Sequence, residues 1–100
     1  MANIKQLIQN YGLDVDDFDI SPFESINLLH TRNEIHSRIG ELSGNDRSEL
    51  HKYDMLLIEN AGRMYSHISK IYDFENSGEP LAKWWWHLDK VADRKLNVEL

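Results

Sequence analysis

The sequence predicts an all-α fold, a small antiparallel helical bundle in which two long helices form a hairpin. A short N-terminal helix and a tryptophan-rich C-terminal helix complete it. Apolar residues recur every three or four positions along most of the chain, the spacing that lines one face of a helix. Ser21-Pro22 and Pro80 mark helix starts, and no Pro/Gly-rich linker or internal repeat divides the chain. With 100 residues, 41% hydrophobic and 28% charged, the sequence fits one globular domain. Residues 1–20 read as a short helix and an acidic connector, and 21–100 as a three-helix core.

The first helix is expected from about Asn3 to Tyr11, with Ile4, Leu7, Ile8 and Tyr11 on one face. Gly12 is placed to end it in the left-handed conformation, with Leu13 folding back as apolar partner. Leu13 to Ile20 then carries Asp14, Asp16, Asp17 and Asp19 between apolar residues, the pattern of an extended segment over the core.

Ser21, Pro22 and Glu24 combine a capping box with proline in the first helical turn. The stripe Leu28, Ile35, Ile39 and Leu42, widened by Ile26 and Leu29, carries the second helix to Ser43-Gly44. Asp46 and Glu49 are read as the capping pair of the third. Leu50, Tyr53, Leu57, Ala61, Met64, Ile68 and Ile71 then make a long apolar seam. At about 1.5 Å per residue, a helix from Arg47 to Tyr72 would be roughly 39 Å long, and the short loop before it predicts an antiparallel hairpin. After Asn76-Ser77-Gly78-Glu79, Pro80 restarts a helix to about Arg94 or Lys95, with Leu81, Trp85, Leu88 and Ala92 in one row. Leu96 to Leu100 is expected to be extended or frayed.

Composition removes several function classes. The chain has no cysteine, which excludes disulfides, thiolate nucleophiles and cysteine-bound metals. A net charge of −6 without a basic stripe argues against binding nucleic acid or anionic lipid. No apolar run is long enough to span a membrane and no signal pattern opens the chain, so a cytoplasmic location is expected. No cofactor motif is present.

The most informative feature is Trp84-Trp85-Trp86. At about 100° per residue, three adjacent helical side chains spread over about 200° and cannot share one flat core. Trp84 and Trp85 fall on the Leu81/Leu88 face. Trp86 points toward Lys83, Lys90 and Asp93, where it is either covered by the first helix or the connector, or exposed as an anchor for a protein partner. Trp86, Lys83 and Lys90 are therefore the candidate partner-binding residues, and no catalytic or metal-binding set is assigned. Met55, Ile58, Tyr65 and Tyr72 would leave an apolar flank on the hairpin, which suits a homodimer.

Other chemistry is less well supported. The five histidines include no Glu-x-x-His or His-Glu-x-x-His. Arg32/His36 and Arg63/His67 are similar in kind to the Arg-x4–6-His of HEPN-type RNases, one residue short, and would pair a charge stabiliser with a proton carrier. A calcium loop starting at Asp14 fails, with Phe18 and Asp19 at its fifth and sixth positions. The aspartates also suit an acidic inhibitor that imitates nucleic-acid phosphates.

Asp54, Leu56, Leu57 and Ala61, followed by Pro80, Trp84, Trp85, Trp86, Leu88 and Asp89, resemble a family of short helical proteins of cyanobacterial type. The family carries a Pro-x3-Trp-Trp-Trp-x-Leu-Asp motif. The resemblance spans Leu50 to Asp89 and implies a helical fold without implying an activity. The leading expectation is a non-enzymatic interaction or regulatory module. The alternatives are a HEPN-like RNase or metal-dependent enzyme, and an acidic inhibitor of a nucleic-acid enzyme.

Overall fold

The computed structural model describes residues 3–98, so Glu99 and Leu100 of the expected extended tail lie outside it. The described chain is all-helical. It comprises α1 (Ile4–Asp14), α2 (Pro22–Ser37), α3 (Gly44–Glu59), α4 (Ala61–Ile68) and α5 (Leu88–Ala92), with 3-10 turns at Ile39–Glu41 and Trp84–Trp86.

α1 runs three residues further than its sequence suggests. Gly12 is not a left-handed cap, because no described glycine has a positive φ. It sits inside the helix where α1 meets α3, and a Cβ there would run into the Tyr53 ring. Glycine is thus required by close approach rather than by backbone conformation. Leu13 is exposed instead of folding back, and Val15 is buried in its place.

α2 starts where expected. The Ser21 side chain accepts from the Glu24 backbone N–H, and Glu24 reaches back to the Ser21 N–H at 3.1 Å. The helix stops at Ser37, earlier than expected, and Ile39 is an exposed residue of the following 3-10 turn. α3 has the same device three residues upstream of the expected pair, with Ser43 as cap and Asp46 as its reciprocal partner.

The seam from Leu50 to Ile68 faces the core, but not on one straight helix, and Ile71 lies beyond the end of α4. Asn60, at φ −96 and ψ 11, ends α3 and opens α4. Asn60 and Gly62 are both weak helix formers, and a turn there lets the chain curve around its own core. The molecule's longest dimension is 33 Å, less than the straight helix would span. α2 runs back along the α3–α4 stretch as the expected hairpin does, with Arg32 meeting Asp54 and Ile20 meeting His67. α1 packs against both α2 and α3, while α4 packs against α2 and α5.

The tryptophan segment departs furthest from expectation. Pro80 opens a turn, closed by Lys83 N–H to Pro80 C=O at 3.0 Å, and no fourth long helix forms. A 3-10 turn separates adjacent side chains by about 120°, so burying three of them needs surroundings on every side. The segment has those surroundings: Trp84, Trp85 and Trp86 are all buried.

Candidate functional site

Two places gather the chemistry-bearing residues, one inside the protein and one on its surface. The interior one centres on Asp54. Leu50, Asp54, Leu57 and Ala61 share one face of the α3–α4 seam, and Leu28, Arg32 and Ile35 share one face of α2, so an acid and a base both stand in core register. They meet. Arg32 Nε and Nη2 donate to the two Asp54 oxygens at 2.9 and 3.1 Å. The Tyr11 hydroxyl donates to Asp54 Oδ1 at 2.6 Å, joining α1 to the pair. Burial, then the Asp54 charge, raise the Tyr11 phenol well above its ordinary pKa, which keeps this donor protonated.

The tryptophan turn docks on the same network. The Arg32 guanidinium carbon lies 4.4 Å from the Trp85 ring centroid, and the His36 ring lies 5.4 Å from it. Burial, with help from the Arg32 and Lys83 charges, lowers the His36 pKa. Trp86 is covered by α2 and Tyr72 rather than by α1 or the connector. His30 meets it edge-on at 5.1 Å, Tyr72 lies at 5.4 Å, and its indole N–H donates to Asn33 Oδ1 at 3.4 Å.

Trp86 is only 4% exposed, so of the two arrangements the sequence leaves open it takes the covered one. Lys83 and Lys90 are half-buried beside acids, with Nζ 3.9 Å from Glu79 and 3.6 Å from Asp89. The set Trp86, Lys83 and Lys90 therefore frames a docked turn and presents no free aromatic surface.

The second Arg/His pair serves a different aromatic ring. Arg63 stacks over Phe18 at 4.1 Å, and His67 Nε2 donates to the Ile20 carbonyl at 2.8 Å. These contacts hold the connector on α4. A cavity of about 210 Å³ beside Phe18 is lined by Arg63 and His67, not by Arg32 and His36. The shared cleft needed by the RNase reading is not assembled there. Among the described residues, no three His, Asp or Glu side chains are placed to hold a metal ion. At the end of α1, burial and the neighbouring Asp17 and Glu24 raise the Asp14 pKa.

The surface place lies on the far side of α3. Met55, Ile58, Gly62 and Tyr65 follow one another at helical spacing, and Met55 and Tyr65 are exposed. Beside them an open groove of about 500 Å³ runs between the α3–α4 junction, α5 and the segment 96–98. Ile58, Ala61, Val91, Leu96 and Val98 give it an apolar lining, and Glu59 and Arg94 add one charge of each sign. Gly62 opens the α4 side, with space for a Cβ at 3.7 Å from that of Ala92. Leu96 and Val98 also line a second cavity of about 270 Å³ with Trp84 and the exposed Leu81.

The Asp54 network was readable as complementary charges in core register. The groove was not, because its walls come from two separate segments, Ile58 to Gly62 and Val91 to Val98. No family model matches the chain, and neither the curated proteins nor the solved structures contain a match. Among the described residues no helix is long and apolar enough to cross a membrane.

Proposed function

We propose that the chain is a small cytoplasmic, non-enzymatic interaction module, and that its binding surface is the groove face of α3, α4, α5 and residues 96–98. One observation carries this: two cavities share Leu96 and Val98, one reaching the exposed Leu81 and the other Ile58, one helical turn from the exposed Met55, while the tryptophans are used internally. Exposed contiguous apolar surface beside charged residues is the usual anatomy of a protein–protein contact. The motif resemblance implies no competing activity.

A photo-crosslinking amino acid at Met55, introduced in the cells that make the protein, tests the surface directly. Discrete adducts from Met55 and none from a probe at Asn10, exposed on α1, are expected. Equal, diffuse labelling from both positions would contradict the assignment.

A further inference from the structure

Glu59 and Arg94 line the same groove from its α3 side and its α5 side, both exposed. Among the described residues neither forms an ion pair with the other or with a neighbour. We propose that a second copy of this chain occupies the groove about a twofold axis, with Glu59 of each copy meeting Arg94 of the other. The inference rests on the groove being the interaction surface.

A twofold contact is isologous: if position i of one copy touches position j of the other, then j also touches i. An occupant must therefore be apolar in the middle and must carry a base opposite Glu59 and an acid opposite Arg94. A second copy supplies all of these. Two chains of net charge −6 repel one another at long range, so they associate best through a face with balanced charge. The groove is such a face.

The backbone at Arg94 adds an independent observation. Arg94 has φ 59, the described non-glycine residue in the left-handed region. It follows α5 in a Schellman arrangement, with Lys95 N–H to Lys90 C=O at 2.9 Å and Arg94 N–H to Val91 C=O at 3.2 Å. Glycine is the favoured residue at that position. The arginine brings a charge to the groove against the local backbone preference, and intrachain ion pairing does not account for it.

Sedimentation equilibrium on the full chain across a concentration series tests the proposal, using wild type, Glu59→Arg, Arg94→Glu and a 1:1 mixture of the two variants. Wild type should approach twice the 11.8 kDa chain mass. Each single variant sets like charges against each other at both contacts and should dimerise at least about tenfold more weakly. The mixture should recover dimer, because each variant then faces the opposite charge at both contacts. A wild-type monomer at about 1 mM, or a dimer that ignores both charge reversals, would overturn the proposal. The Met55 adduct separates the two levels of inference. A discrete adduct with a polypeptide other than this chain keeps the interaction surface and rejects the second copy, whereas the absence of a Met55-specific adduct rejects both.

Discussion

The tryptophan turn and the α3–α4 face exchange the roles their sequences suggest. The turn carries three adjacent large aromatics, a pattern that no helix can bury on one side, yet all three are buried. The α3–α4 stretch has the most regular apolar seam in the chain, yet its opposite face leaves Met55 and Tyr65 exposed, and Ile58 and Gly62 between them line an open groove. Residue type alone does not decide which apolar surface stays open. That depends on whether enough other elements surround it, and the tryptophan turn has α2 and α5 against it while α3 has an uncovered flank.

The sharpest way to break this contrast is to remove the interior anchor. Asp54→Ala leaves Arg32 buried without its partner and Tyr11 without its acceptor, so a loss of about 3–5 kcal/mol is expected in urea unfolding. The double change Arg32→Met and Asp54→Leu should recover most of it, because burying an ion pair is itself costly. If Asp54→Ala were neutral, the network would not organise the interior.

Trp86→Ala against Met55→Ser probes the two regions directly. The tryptophan change should cost about 3–5 kcal/mol by opening a cavity, and the methionine change less than about 0.5 kcal/mol. Equal effects would remove the distinction between a buried turn and an open face.

Gly12→Ala should destabilise by about 1–2 kcal/mol, because the added methyl meets the Tyr53 ring. In a Tyr53→Ala background the same change should stabilise by about 0.5–1 kcal/mol, as alanine ordinarily does inside a helix. A thermal-melt double-mutant cycle reads this reversal of sign. On the groove side, Arg94→Gly relieves the left-handed backbone and should stabilise the monomer by about 1 kcal/mol while weakening the dimer.

The smallest expected effect is a pH dependence at His36. Its folded pKa is lowered by burial and then by the Arg32 and Lys83 charges, so the unfolded chain takes up the proton first. The contribution to stability is present above the ordinary histidine range and is lost as pH falls below about 6.5. His36→Gln should flatten this part of the stability–pH curve measured by urea titration.

Much of the fold is written in local signals. The start of α2 follows from Ser21, Pro22 and Glu24, which act within four residues of one another, and the seam through Leu57 and Met64 needs only helical periodicity. The features that escape the sequence depend on distant partners. Gly12 suits a helix cap and a close helix contact equally, and only Tyr53 distinguishes them. The break at Asn60 lies within an unbroken apolar periodicity, so spacing alone does not mark it. The position of Trp86 assumed a regular helix after Pro80, and the 3-10 turn removes the angular relation on which its exposure depended. Arg32 and Asp54 could have been paired from their registers, whereas the groove needed α3, α5 and the chain end in place together.

Hydroxyl-radical footprinting of Met55 and the three tryptophans in one digest tests the contrast most directly. In dilute native protein Met55 should oxidise readily while Trp84, Trp85 and Trp86 stay protected, and Met55 should gain protection as concentration rises. Oxidation of Trp86 at the rate of the unfolded chain, with Met55 equally reactive at every concentration, would contradict both halves of the account.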